Sequence, residues 1–295
     1  MTHTSRIFLL LAVFLILNPI HADQGTLNMK KESSVSRIDL YNPAWLEAHR
    51  PFLIAHRGGV ITEDTPECSL GAIRLAQEHG YSMVELDIRE TKDHVPVIFH
   101  DSNLKKSCGI NKTISDLTST EVVSIRMFKT DREIESEEQI PTFDQAASLC
   151  AELNLGIMMD IKDKGGSEEF FRRIAGIIKK YDLARCTICI SRIPLSESIW
   201  GDSVMFRLLD EEWNNLAEAG PNSFLHRFWF SVPRDITDES ITALRERGAM
   251  VIPAINTFRY RAASHLEEAG KDIERMKAIG VDAFQIDSVY EVYFE

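Results

Sequence analysis

Positive charge is scarce in this 295-residue chain. Lys and Arg number 33 against 45 Asp and Glu, a formal net charge of −12. A nucleic-acid binder carries a basic face, so that class is set aside. The same balance repels anionic substrates at long range, so a phosphate ester would need local cations from a metal or from Arg and Lys in the site. Cysteine is sparse as well: five residues (68, 108, 150, 186 and 189), an odd count in a long chain, predict no disulfide framework. Cys186 and Cys189 have CxxC spacing, but residues three apart on a strand face opposite ways. Buried, inert thiols are expected there. Long apolar runs are nearly absent. The one at Ile7–Leu17 is well short of the ~20 residues that span a bilayer. Arg6 precedes it, Asn18-Pro19 breaks it, and Ala22 is a small residue suited to cleavage. That order predicts a signal peptide over residues 1–22, with an uncleaved N-terminal anchor as the alternative, and an exported protein, secreted or periplasmic. No later segment is apolar enough for a stable membrane span after cleavage, and no internal repeat or low-complexity tract is present.

Residues 23–50 form a lead-in, polar over 23–37. From 51 to 295, short apolar runs alternate with segments of helical period, the pattern of parallel α/β architecture. Candidate strands are 52–56, 83–89, 95–100, 156–162, 187–191, 204–208, 250–256 and 283–287. Residues 228–230 are an extra element between the sixth and seventh. Candidate helices are 68–78, 143–153, 168–181, 238–247 and 265–279, three of them followed by a stop glycine at 80, 248 or 280. Eight strands predict a single-domain (β/α)8 TIM barrel. The long polar connection at 102–140, after the third strand, is of a length that is functional or structured in its own right.

The chemistry lies where polar residues interrupt these strands. In Met83-Val-Glu-Leu-Asp-Ile-Arg89, Val84, Leu86 and Ile88 share one face while Glu85 and Asp87 share the other. Two such carboxylates are about 7 Å apart at Cα, close enough to converge on one cation. The fourth strand repeats the device with Asp160 and Lys162. The first ends in His56-Arg57-Gly58-Gly59 and the third in His100-Asp101. In a (β/α)8 barrel such strand ends meet at one mouth, where active sites sit. Glu85, Asp87 and Asp160 are hard oxygen ligands suited to a divalent cation, Mg²⁺ or Ca²⁺ first. With His56 and His100 added, zinc or manganese is the alternative. Both histidines suit general acid/base work better. Arg57 and Lys162 can hold phosphate oxygens. Asp101 can orient the imidazole of His100 or cap the following turn. The competing structural account is an ion-pair network of the carboxylates with Arg57, Arg89 and Lys162. A Schiff-base role for Lys162 is opposed by Asp160 on the same face.

In order and spacing, His56-Arg57-Gly58, Pro66-Glu67, Glu85-Leu-Asp87, Thr91 with Asp93, His100-Asp101, Ile140-Pro-Thr142, Asp160-Ile-Lys162, Gly280-Val-Asp282 and Ile286-Asp287 resemble the glycerophosphodiester phosphodiesterase family. The resemblance covers residues 52–287. It implies a metal-dependent barrel enzyme that takes a small-molecule phosphodiester and hydrolyses glycerophosphodiesters to an alcohol and glycerol phosphate. It places Glu85, Asp87 and Asp160 at the metal, His56 and His100 as acid and base, and Arg57 and Lys162 on the phosphate. The chain departs from the family pattern at Cys68 (usually Asn), at Asp160 (usually Glu), in the seventh strand, which lacks a Trp, and after Asp101, where Lys105-Lys106-Ser107 replaces Arg-Thr-Thr. These departures bear on substrate choice. They leave open a lysophospholipid-like phosphodiester, or a catalytically weak barrel that binds phosphate esters.

Overall fold

A computed structural model describes residues 38–130 and 133–295, so the predicted signal peptide and residues 23–37 lie outside the described residues. The last part of the predicted lead-in is folded. Asn42 caps the short helix α1 (Pro43–His49), its side chain accepting from the Ala44 and Trp45 amides, and Trp45 and Leu46 enter the main core.

Eight parallel strands close into a barrel in the order β1 (Phe52–Ala55), β2 (Met83–Glu90), β6 (Gly156–Ile161), β7 (Thr187–Cys189), β8 (Met205–Arg207), β9 (Arg227–Ser231), β10 (Met250–Ile255) and β11 (Ala283–Ile286). Pairing of β1 with both β11 and β2 closes the ring. The (β/α)8 class predicted from the sequence is what is found, with two corrections in strand assignment. The segment predicted as the third barrel strand is β3 (Pro96–Ile98), which runs antiparallel to the far end of β2, Ile88 opposite Ile98. Thr91–His94 is too short to carry a crossover, so the chain can only turn back. Residues 228–230, predicted as an extra element, lie in a true barrel strand, β9, between β8 and β10. Its Phe-Trp-Phe run is fit for burial on both sides, as a parallel strand requires.

Five helices cover the barrel at or close to their predicted spans: α2 (Leu70–Glu78), α5 (Phe143–Glu152), α6 (Glu168–Lys180), α9 (Asp238–Glu246) and α10 (His265–Ile279). Their starts follow capping chemistry. Thr142 and Gln145 form a reciprocal capping box, and Ser69, Ser167 and Thr237 each accept from the amide three residues on. Helix α2 begins two residues later than predicted, because Cys68 holds a left-handed backbone (φ 61°) that a helix cannot include. Shorter helices α7 (Pro194–Trp200) and α8 (Asp210–Asn214) fill the remaining positions.

The 102–140 connection carries its own structure: helices α3 (Lys105–Cys108) and α4 (Ser119–Val122), and the antiparallel hairpin of β4 (Arg126–Phe128) with β5 (Glu135–Gln139). It has a separate small core including Phe99, Leu104, Ile114, Val122, Met127 and Ile140. The hairpin rests on the loop after β1, where the Thr130 amide donates to the Glu63 carbonyl. All five cysteines are buried and none is in a disulfide.

Candidate functional site at the barrel mouth

Register alone brings the acidic residues together. Strands β2 and β6 pair with Asp87 level with Asp160 and Glu85 level with Met158. Adjacent strands are ~4.8 Å apart, so side chains of the same parity point into the barrel side by side. Carboxylate oxygens of Glu85, Asp87 and Asp160 all lie within 4.8 Å of one another. Glu85 and Asp87 are each 1 % exposed, so their charges are not dispersed by water. The Arg57 amide donates to Glu85 Oε2 at 2.8 Å, and the Ser191 hydroxyl to Asp160 Oδ1 at 2.8 Å. Lys162 reaches between two of the acids, 2.6 Å from Asp160 Oδ2 and 2.7 Å from Asp87 Oδ1. These contacts outweigh the effect of burial and hold the ammonium above its ordinary pKa.

Three carboxylates against one ammonium leave an excess of negative charge in a closed space. Burial, with Asp87 and Asp160 beside it, pushes the Glu85 carboxyl well above the usual range. The arginines offered by the ion-pair account are engaged elsewhere: Arg57 Nη1 binds Glu67 Oε2 at 2.8 Å, and Arg89 Nη1 binds Asp163 Oδ1 at 3.1 Å. The donor set of three hard oxygens, under-neutralised and convergent, fits a divalent cation such as Mg²⁺ or Ca²⁺. Lys162, the expected phosphate contact, bridges Asp87 and Asp160, where it holds the acids in position.

The two histidines flank this centre. His56 leaves the end of β1, and its Nδ1 lies 2.5 Å from Asp287 Oδ1. The other oxygen of Asp287 accepts from the Thr257 amide at 2.7 Å and the Thr257 hydroxyl at 2.8 Å. Burial would raise the Asp287 carboxyl, but His56 and these donors prevail and hold it low. His100 reaches the mouth on the return from β3 rather than at the end of a barrel strand. The Phe99 amide donates to the Asp87 carbonyl, which fixes that return. His100 Nδ1 lies 3.0 Å from Asp101 Oδ1, the orienting role foreseen for Asp101. Each imidazole thus has a carboxylate on Nδ1, which leaves Nε2 for proton exchange.

Two clefts open at these residues. One, of about 340 Å³, is bordered by His56, Arg57, Thr257, Phe258, Asp287 and Val289. The other lies against His100 and is walled by Pro66, Cys68, Phe99, Met127 and Phe128. Ile61 and Glu67 border both, so the Arg57–Glu67 pair stands where they meet. Sequence reasoning gave no role to two residues here. Asp287 lies 231 positions from His56 in the chain, and only barrel closure brings them together. Its position just past the last strand, at the mouth, was the available signal. Glu67, beside the left-handed Cys68, was masked by the loop.

The loop after β1 leaves no latitude. Arg57 is left-handed (φ 54°), and Gly59 has φ +144°, where a Cβ would lie 2.0 Å from the Ala72 carbonyl oxygen in α2. A Gly59→Ala variant is expected to lose about 3 kcal/mol or more of stability, visible as a large fall in Tm. A melting temperature within a degree or two of the parent would show that this loop can be rebuilt.

Fold and site together define a (β/α)8-barrel protein with a cation-demanding carboxylate centre and two carboxylate-backed histidines at its mouth. Residues 56–191, a little under half of the chain, match the model of the glycerophosphoryl diester phosphodiesterase family. The match takes in every predicted site residue. It stops short of Asp287. Mouse glycerophosphodiester phosphodiesterase 1 is 39% identical over 112 residues, 37% of this chain and 33% of the relative. Human lysophospholipase D GDPD1 is 31% identical over 140 residues, 46% of this chain and 43% of the relative. The matched region is thus a third to under a half of the length of these curated relatives. Among solved structures, a glycerophosphoryl diester phosphodiesterase from Parabacteroides distasonis superposes with a TM-score of 0.66 at 22% identity, covering 87% of this chain and 92% of that one. An Oleispira antarctica phosphodiesterase in complex with the product sn-glycerol-3-phosphate gives 0.62 at 18% identity, covering 84% and 98%. At these identities the structural matches speak for the fold.

Proposed function

We propose that the chain is an exported phosphodiesterase that hydrolyses glycerophosphodiesters to an alcohol and glycerol phosphate, with a divalent cation held by Glu85, Asp87 and Asp160. The observation that carries this reading is the under-neutralised carboxylate triple flanked by two histidines, each with Nδ1 on a carboxylate. The cation, when bound, supplies Lewis-acid stabilisation of charge on the phosphoryl oxygens. The chain's own residues do the rest. Arg57, at the junction of the clefts, is placed to orient the phosphate, exchanging part of its bond to Glu67 for a phosphate oxygen. One imidazole accepts a proton from the attacking water through Nε2 as the water oxygen bonds to phosphorus. The other delivers a proton to the departing alkoxide as its P–O bond breaks, and Asp287 and Asp101 hold the two rings in register. The clefts on either side give each ester arm its own space. Incubating the purified protein with glycerophosphocholine is expected to release glycerol phosphate in Mg²⁺ or Ca²⁺ and none in excess chelator. Undiminished turnover in chelator, or no product with any divalent ion, would overturn the reading.

A second substrate, an acyl-bearing lysophospholipid-like phosphodiester, is favoured by the apolar walls of both clefts: Phe99, Met127 and Phe128 in one, Phe258 and Val289 in the other. The lysophospholipase D relative is consistent with it. Export is supported by the order Arg6, apolar run, Ala22. Amino-terminal sequencing of the protein recovered outside the cytoplasm is expected to begin at Asp23. A chain beginning at Met1 in the soluble cell interior would exclude it.

A further inference from the structure

Large apolar side chains left in water are unevenly placed on this barrel. Phe258 is 64 % exposed, Leu266 43 % and Val289 44 %. Single exposed apolar residues are ordinary, but these three share a sector of the mouth. Phe258 and Leu266 lie on the stretch 257–266, which joins the end of β10 to the first turn of α10. Val289 follows β11 and borders the His56 cleft together with Phe258. The Phe258 ring stands 6.2 Å from the His56 ring, so the exposed patch is continuous with the way into the site.

The patch is ringed by arginines in a chain whose net charge is −12. Arg259 lies 4.9 Å over the Phe258 ring. Arg261 is exposed and has no carboxylate partner among the described residues. Arg234, in the neighbouring loop after β9, has a side chain 71 % exposed, with Asp235 Oδ1 4.0 Å from its Nε. The acids of the sector are largely engaged: Asp287 by His56 and Thr257, Glu267 by Lys271, Glu268 by Ser264 and Asp235 by Ser231. Protruding aromatic and aliphatic groups surrounded by guanidinium groups are the composition of a lipid-interface anchor. The apolar groups enter the acyl boundary while the arginines meet the phosphates. The net negative charge disfavours a strongly anionic membrane, which leaves a zwitterionic surface.

We propose that residues 257–266 with Val289 form a docking face for a zwitterionic phospholipid or lysophospholipid surface, set so that lipid phosphodiesters enter the cleft at His56. Docking itself stands apart from the proposed activity. Only the delivery of substrate rests on that reading. The test is co-sedimentation of the full chain with sucrose-loaded phosphatidylcholine vesicles containing lysophosphatidylcholine. Wild-type protein is expected in the vesicle pellet. The double variant Leu266→Asp, Arg261→Glu is expected to partition at least about tenfold less, the equivalent of 1.4 kcal/mol. Leu225→Asp is the control. Leu225 is 53 % exposed but precedes β9, at the opposite end of the barrel, and its substitution is expected to leave partitioning unchanged. Circular dichroism and Tm confirm that each variant is folded. The proposal is overturned if wild-type protein stays in the supernatant, or if Leu225→Asp loses as much as the double variant. It also falls if the double variant binds like wild type, as it would were the Ile7–Leu17 run the anchor. A wild-type dimer that ignores vesicles and becomes monomeric in the double variant would make the face a self-association surface instead. Turnover of soluble glycerophosphocholine, measured on the same samples, is expected to be equal in all three folded proteins. Its absence in every sample would count against the proposed activity and not against docking.

Discussion

Replacing Glu85 by Gln is expected to lower hydrolysis by about 10³-fold or more while making the metal-free protein more stable. The two effects share one cause. Glu85 is buried beside Asp87 and Asp160, and burial together with those neighbours pushes its carboxyl well up. Glutamine has nearly the same shape and can still accept the Arg57 amide through its carbonyl oxygen. It removes one of three like charges from a site with a single ammonium. Relief of that repulsion is worth roughly 1–2 kcal/mol, because an incompletely paired buried charge is costly. The same change takes a hard, charged ligand away from the cation. Several kcal/mol of transition-state stabilisation supplied by a metal ion, at 1.36 kcal/mol per factor of ten, gives the expected loss of rate. A readout independent of activity comes from linkage. A divalent ion at about 100 times its dissociation constant stabilises a protein by ~2.7 kcal/mol. Added Mg²⁺ or Ca²⁺ is therefore expected to raise the Tm of the wild type clearly and that of Glu85→Gln little. Equal shifts in the two proteins, or a fully active variant, would mean that the acids are a structural cluster.

The centre was legible in the sequence because strand periodicity is a strong rule. Glu85 and Asp87 alternate with Val84, Leu86 and Ile88, and alternation fixes which side chains enter the barrel. Asp160 repeats the device on the strand that pairs in register with β2. Helix bounds were legible for the same kind of reason, since Thr142, Ser167 and Thr237 supply local caps. Neighbour relations were less so. Residues 95–100 have the apolar content of a barrel strand, and only the shortness of Thr91–His94 signals that they turn back. Residues 227–231 lack the ionisable end that marked the first four predicted strands, so they looked like an insertion although they complete the ring. The roles of Arg57 and Lys162 were drawn from charge and from the family resemblance. The structure pairs one with Glu67 and the other with Asp87 and Asp160, geometry that no local pattern encodes. Asp287 escaped for a related reason: closure of the barrel makes its partner a residue at the other end of the chain.

That pair carries the second large effect. His56→Ala is expected to lower turnover of glycerophosphocholine by about 10²–10⁴-fold, the usual contribution of a general acid or base. Asp287→Asn is expected to come close to it without touching the substrate. The argument turns on Thr257, whose amide and hydroxyl both donate to Asp287 Oδ2. An asparagine must present its carbonyl oxygen to those two donors, because its amide group would leave them unsatisfied. The amide then faces His56 Nδ1 and donates to it. The ring is forced to keep its proton on Nε2, the tautomer that cannot accept one from a nucleophile. Loss of a good orienting partner alone would cost less, so Asp287→Glu, which keeps two acceptor oxygens, is expected to recover part of the rate. Leaving-group dependence separates the duties of the two rings. With bis(p-nitrophenyl) phosphate the departing phenolate needs no proton, so the variant lacking the general acid is expected to regain most of its rate. The variant lacking the base stays impaired. If His56→Ala and His100→Ala respond alike to that change of leaving group, the division of labour fails. If Asp287→Asn keeps wild-type turnover across the pH range, the Asp287–His56 contact is structural.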